Sequence, residues 1–95
     1  MPPAARRQTD LRLRLYVAGS APNSLQAIAN VRAICEEHFA GYDLEIVNLL
    51  DEPGRAFDDG VIVTPTLLRL EPGPTQRAVG NLSDTKQVLL TLASK

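Results

Sequence analysis

Apolar and polar residues alternate with a period of two near the start of the chain, over residues 11–17. This period is typical of a β-strand, because successive side chains point to opposite faces of a sheet. Residues 23–39 place apolar side chains on one broad arc at helical spacing, which predicts a helix lying on a sheet. A second strand is predicted over residues 43–50, so the first three elements form a β-α-β unit with a right-handed parallel crossover.

The second half of the chain predicts two more strands and a last helix. Residues 53–59 have room for one or two helical turns, and the mostly apolar run over residues 61–70 is the third strand. A proline at position 65 is unusual inside a strand, because it cannot donate to the hydrogen-bond ladder. The Thr64–Pro65 step is therefore either a strand start or a bend, and its amide can adopt the cis form at modest cost.

Turn and cap residues separate these elements. Pro72 and Gly73 stand in the order that a type II turn requires. Such a turn would fold residues 75–79 back as an antiparallel edge strand. The predicted helix caps are Asn23 or Ser24, Gly41 and Ser83.

The last segment, residues 84–93, fits two periods. Four of its side chains share a helical face, whereas three also match the alternation of a strand. We favour a helix, because Asp84 near the start and Lys95 at the end agree with the helix dipole. The complete order is then β-α-β-(α)-β-β-α, an α/β fold with a mixed four-stranded sheet.

Composition narrows the class of protein. Ninety-five residues make one domain, and a net charge of -1 without a basic run predicts no nucleic-acid partner and no membrane partner. Residues 1–10 lack a signal-peptide core and are predicted to be a disordered lead-in, which leaves residues 11–95 as the folded domain. Cys35 is the only cysteine, so no internal disulfide can form, and we expect a reducing, cytoplasmic location.

Three motifs carry a resemblance to a known family. They are LYVAGSAPNS at residues 15–24, TPTL at residues 64–67 and GNLSD at residues 80–84. Together they resemble the KaiB family of bacterial circadian-clock proteins, over about residues 11–92. The resemblance implies a thioredoxin-like fold with a cis Thr64–Pro65 bond. It also implies an alternative, a ground state of order β-α-β-β-α-α-β that assembles as a tetramer.

Two departures from the family favour the thioredoxin-like form as a monomer. Residues 72–74 read Pro-Gly-Pro where the family commonly has three prolines, and glycine accepts the positive φ of a tight turn. The chain also ends at Lys95, without the longer acidic tail of cyanobacterial members. The resemblance marks five candidate hinge or fold-switch residues: Pro65, Pro72, Gly73, Pro74 and Gly80.

The resemblance implies a non-enzymatic adaptor that binds a KaiC-type ATPase ring. Four residues are candidates for partner binding: Tyr16, Asn23, Arg69 and Arg77. For Tyr16, the strand pattern leaves open whether the side chain simply faces solvent or belongs to an interface. Four positions that are usually basic in the family carry no positive charge here, which weakens the expectation that the chain captures KaiA at its second-strand edge. These positions are Gln26, Glu45, Gly60 and Gln76.

Two other functions stay open beside the adaptor. A thioredoxin-like redox protein needs a reactive thiolate at the start of the first helix, but residues 21–24 read APNS, and Cys35 lies about three turns further on, on the apolar face. A stress-related binding module with a non-clock partner is the second alternative. No residue spacing indicates a metal site, a cofactor or a catalytic group: His38 and the carboxylates of residues 51–59 fit surface and turn positions.

Overall fold

The structure, a computed structural model, describes residues 11–93. It contains four strands and three helices in the predicted order. In chain order they are β1 (Leu11–Val17), α1 (Pro22–His38), β2 (Tyr42–Asn48), α2 (Arg55–Asp58), β3 (Thr66–Glu71), β4 (Gln76–Val79) and α3 (Thr85–Ala93). The predicted lead-in, residues 1–10, lies outside the described residues.

The four strands form one mixed sheet in the order β2-β1-β3-β4. β1 and β2 are parallel, which α1 makes possible by crossing over between them. β3 runs antiparallel to β1, and β4 returns antiparallel to β3. The predicted thioredoxin-like arrangement is therefore confirmed, and the alternative strand order of the tetrameric form is not the one observed.

The C-terminal half of the central strand β1 is buried on both faces of the sheet. Leu13, Leu15 and Val17 belong to a large cluster that α1 and α3 cover. On the opposite face, Tyr16 packs with Val47 and Leu68 in a smaller cluster. The second covered face explains why Tyr16 is buried, whereas Arg12 near the start of β1 remains exposed.

The apolar run over residues 61–70 is only partly a strand. β3 begins at Thr66, directly after Pro65, since Pro65 has no N–H for the ladder. The Thr64–Pro65 bond is cis, as predicted. The hydroxyl of Thr66 donates to the carbonyl O of Val63 at 2.6 Å, which keeps the preceding residues in a loop.

Three predicted helix caps are wrong. α1 begins at Pro22 without a side-chain cap, and the hydroxyl of Ser24 instead accepts the N–H of Ala18 at 3.0 Å. Proline suits the first helical position, where its missing N–H costs no intrahelical bond. α1 ends at His38 with Phe39 extended, before Gly41, and Asp84 rather than Ser83 accepts a helical N–H of α3, that of Gln87 at 3.1 Å.

The hairpin between β3 and β4 is confirmed, but its turn type is wrong. A type II turn needs a positive φ at Gly73, whereas the glycines with positive φ are Gly19, Gly60 and Gly80. The Glu71–Pro72 and Gly73–Pro74 bonds are both cis. β4 still pairs with β3 in the predicted antiparallel sense and forms an edge of the sheet.

Candidate functional site

The strand register brings several loops together at one end of the sheet. Tyr16 lies opposite Val47 on one side and Thr66 on the other, and Thr66 lies opposite Val79. The loop after β1, the loop before β3 and the loop after β4 therefore meet there. We call this region the loop end; it comprises residues 18–23, 63–65 and 80–82.

Two of the four predicted partner-binding residues are on the surface, and two are not. Asn23 is exposed in the first turn of α1, and Arg77 is exposed on β4. Tyr16 and Arg69 are 0 % exposed. The expectation that these two side chains lie on a surface is corrected, because each is enclosed by other parts of the chain.

The hydroxyl of Tyr16 is part of a polar network between the sheet and α2. It donates to Asp59 Oδ2 at 2.6 Å and lies 3.1 Å from the carbonyl O of Arg55. Burial raises the pKa of Tyr16, and the hydrogen bond to Asp59 raises it further. A neutral hydroxyl donor at this point joins the sheet to the segment that follows β2.

Two arginines extend this network. Arg14 binds Glu45 through Nε at 2.7 Å and Asp59 through Nη1 at 2.9 Å, and Arg55 binds Glu45 at 2.8 Å. Hydrogen bonds from Arg55 and then Arg14 lower the pKa of Glu45 to about 2. The pKa of Asp59 is also lowered: burial opposes the shift, but hydrogen bonds from Tyr16 and Arg14 outweigh it. Glu45 therefore holds two cations of its own chain.

This network should make stability depend on acid. Because the pKa of Glu45 is lower in the folded chain than its ordinary value near 4.3, its contribution is complete above about pH 5 and is lost as the pH falls toward 2. Glu45 is half-exposed, so we expect at most about 1 kcal/mol. Urea titrations at a series of pH values should show a shallower acid loss for Glu45→Gln than for the wild-type chain. Equal slopes would contradict the ion pairs.

Arg69 joins β3 to the end of α3. Its Nη1 donates to the carbonyl O atoms of Thr91 at 3.3 Å and Leu92 at 3.1 Å, and its Nη2 donates to that of Pro74 at 3.2 Å. Carbonyl groups at a helix C-terminus carry partial negative charge and lack intrahelical partners. A guanidinium suits this place, since its planar fork can reach several acceptors at once.

Arg77 connects β4 to the chain after α2, and Asn81 connects the loop end to α1. Arg77 donates to the carbonyl O atoms of Asp59 at 2.9 Å and Gly60 at 3.3 Å. The carbonyl O of Asn81 accepts Nδ2 of Asn30 at 2.9 Å, and its side chain donates to Gln26 at 3.1 Å. Sequence reasoning missed Asn81, because a polar residue in a loop gives no sign of which distant helix it contacts.

The predicted hinge residues occupy turns and strand ends. Pro65 directly precedes β3, and its carbonyl O accepts the N–H of Gly80 at 2.9 Å. Gly80 has a φ of 109°, in the region that favours glycine, and Leu82 has a φ of 63° although it is buried. Leu82 was not predicted, since leucine rarely adopts this conformation. The remaining candidates, Pro72, Gly73 and Pro74, form the exposed turn between β3 and β4.

Thiol chemistry has little support in this geometry. Cys35 is buried on α1, and burial raises the pKa of its thiol to about 11. A thiol with this pKa forms little thiolate at neutral pH. Across residues 11–93, no three His, Cys, Asp or Glu side chains are grouped as a metal site would require. No helix in that part of the chain is long and apolar enough to span a membrane.

Solved structures support the fold. The N-terminal domain of SasA from Synechococcus elongatus is 27 % identical, with a TM-score of 0.73, and the similarity covers 92 % of this chain and 87 % of that one. Mitochondrial thioredoxin 3 from Saccharomyces cerevisiae also has a TM-score of 0.73, over 93 % of this chain and 81 % of that one, but at 11 % identity. The second similarity shows a shared fold only.

Sequence comparison identifies the family. The chain is 46 % identical to the circadian clock protein KaiB3 of Synechocystis, over 84 % of this chain and 79 % of that protein. It is 43 % identical to the circadian clock oscillator protein KaiB of Prochlorococcus marinus, over 84 % of this chain and 77 % of that protein. The sequence model of the KaiB domain matches residues 14–94. The chain therefore belongs to the KaiB family of circadian-clock proteins.

Proposed function

We propose that this chain is a KaiB-type adaptor that binds the ATPase ring of a KaiC-type protein and acts by binding rather than by catalysis. The observation that carries the proposal is the match to the KaiB domain across residues 14–94, together with a thioredoxin-like sheet similar to the N-terminal domain of SasA. In this proposal, a monomer of the thioredoxin-like form binds the ring through the loop end. Binding takes place in the cytoplasm.

The exposed candidates Asn23 and Arg77 support this location. Asn23 lies in the loop end itself, and Arg77 is exposed on β4, the strand that leads into residues 80–82 of the loop end. Arginine is enriched among the residues that dominate binding energy at protein interfaces. The buried thiol of Cys35 supports an adaptor over a thioredoxin-like redox protein, since its raised pKa disfavours attack on a disulfide.

Capture of KaiA at the edge of β2 is not part of the proposal. Glu45 lies on that edge strand, and both of its carboxylate oxygens bind arginines of the same chain. A partner that required a basic side chain at this position would meet a carboxylate that is already paired with two arginines.

The proposal includes a second fold for the C-terminal half. Residues 65, 72–74 and 80 would act as backbone hinges, and residues 84–93 have a pattern that also suits a strand. The alternative form would assemble as a tetramer. Light scattering over a range of protein concentrations tests this part of the proposal. If the alternative form is populated, the fraction of tetramer, and with it the average mass, should rise with protein concentration.

Ring binding is the decisive test of the adaptor function. We expect calorimetric titration of a KaiC-type ring to give a dissociation constant of about 1 µM or lower, and Arg77→Ala to weaken binding by about fivefold, since an exposed interface charge contributes about 1 kcal/mol. Arg32→Ala is the matched control, because Arg32 is exposed about 13 Å along α1 from Asn23. A folded wild-type chain that does not bind at about 50 µM would count against the adaptor, and binding of a non-clock protein instead would favour the stress-module alternative.

A further inference from the structure

The α2 segment, which we define as residues 51–62, presents large apolar side chains to solvent. Phe57 is 88 % exposed, Ile62 is 94 % exposed and Leu50, which precedes the segment, is 71 % exposed. Single exposed apolar residues are common, and Leu90 on α3 is one example. Here, however, three occur within one short stretch of chain, and one is an aromatic ring, a residue type enriched at the centres of interfaces.

Hydrogen bonds within the segment and to the sheet hold it in a defined position. The N–H of Val61 donates to the carbonyl O of Ala56 at 2.9 Å, which closes the chain around Phe57. Arg55 is bound to Glu45, and Asp59 accepts hydrogen bonds from two β1 side chains. A surface that is already ordered loses little conformational entropy when a partner binds.

The charges around these apolar residues are mainly negative. Asp51, Glu52 and Asp58 are exposed. Residues 50–62 carry four carboxylates and one arginine, a formal charge of -3, and that arginine, Arg55, lies within 4 Å of Glu45 and Glu52. Two arginines from the sheet also reach this stretch: Arg14 pairs with Asp59, and Arg77 donates to the carbonyl O atoms of Asp59 and Gly60. Within residues 11–93, the exposed carboxylates of Asp51 and Asp58 form no ion pair with them. A second copy of this chain would bring the same negative charge, so charge complementarity favours a basic partner over self-association.

We propose that the α2 surface binds a basic, amphipathic protein segment. This surface consists of the exposed side chains of Leu50, Phe57 and Ile62 with the carboxylates of Asp51, Glu52 and Asp58. The apolar face of the partner covers Phe57, and its lysine or arginine side chains meet the carboxylates. The surface adjoins the loop end, because the side chain of Leu50 lies against Gly19, so the inference is tested with a peptide and without a ring protein.

Fluorescence anisotropy with a designed peptide tests this inference. The probe is a labelled helical peptide with leucines on one face and lysines beside them. A control peptide has glutamate in place of every lysine. We expect the full chain to bind the lysine peptide at about 10 µM, and Phe57→Ala to weaken binding about tenfold. Leu90→Ala is the control, because it removes an exposed leucine from α3. Circular dichroism checks that each variant is folded.

Charge provides the second part of the test. The variant Asp58→Asn should weaken binding of the lysine peptide by about threefold at low salt and by less at high salt, since exposed charges are screened. Three results would overturn the inference: equal binding of the two peptides, equal effects of Phe57→Ala and Leu90→Ala, or self-association of the wild-type chain that Phe57→Ala abolishes. Because no ring protein is present, none of these results depends on the adaptor function.

Discussion

Replacing Arg69 with methionine should lower the free energy of unfolding by about 3 kcal/mol. The substitution leaves the carbonyl O atoms of Pro74, Thr91 and Leu92 without this donor. Each of the two buried acceptors, on Thr91 and Leu92, costs about 1–3 kcal/mol when it loses its hydrogen bond, whereas Pro74 is exposed and its carbonyl can bind water. The removal of a buried charge offsets part of that loss. Urea unfolding followed by circular dichroism measures the difference.

Arg12→Met is the matched control for this prediction. Arg12 lies on β1, and its side chain is half-exposed in an ion pair with Glu71. An exposed pair of this kind contributes about 0–1 kcal/mol. If Arg69→Met costs no more than Arg12→Met, then the hydrogen bonds of Arg69 do not stabilise the end of α3.

Replacing Tyr16 with alanine should cost about 3–5 kcal/mol, because it removes a buried aromatic ring and opens a cavity between β1 and the α2 segment. Tyr16→Phe keeps the ring and removes only the hydroxyl with its contacts to Asp59 and the carbonyl O of Arg55, so we expect a loss of about 1–2 kcal/mol. Denaturant midpoints of the two variants separate packing from hydrogen bonding.

Tyr42→Phe tests whether burial is the cause. The hydroxyl of Tyr42 donates to Glu36 at 2.6 Å, a distance similar to that of the Tyr16 bond, but the pair is exposed. Removal of an exposed hydrogen bond should cost less than about 0.5 kcal/mol, since water replaces the partner. Equal losses for Tyr16→Phe and Tyr42→Phe would show that the network beneath α2 does not stabilise the fold.

The order of elements could be predicted from sequence because the first half of the chain carries clear periods and turn residues divide the second half. Alternation in residues 11–17 and the helical arc of α1 are local signals that the packing then reinforces. The family motifs added the thioredoxin-like arrangement and the cis bond at Thr64–Pro65. These predictions rest on many residues at once, so errors at single positions do not change them.

Individual positions were predicted less well, because they depend on contacts between distant segments. Tyr16 appeared to be on the polar side of β1, but the chain returns more than forty positions later to place Asp59 beside it. Arg69 shares a face with Leu67 by strand alternation, and that face is covered by α3. The charge suggested a surface residue, whereas the periodicity of β3 already pointed to the interior.

Turn and cap chemistry failed for a different reason. Gly73 and Ser24 are residue types that suit several local roles, and the structure uses each for a role other than the predicted one. Differences between such roles are small in energy, so the surrounding packing decides among them.

NMR of the uniformly labelled chain in solution distinguishes the two possible folds of this KaiB-family chain, and we expect the thioredoxin-like form. Carbon secondary shifts should be helical over residues 85–93, and cross-strand contacts should join Leu67 to Ala78, which lie opposite each other in β3 and β4. Strand-like shifts over residues 85–93, together with the absence of that contact, would show that the chain does not adopt the thioredoxin-like form in solution.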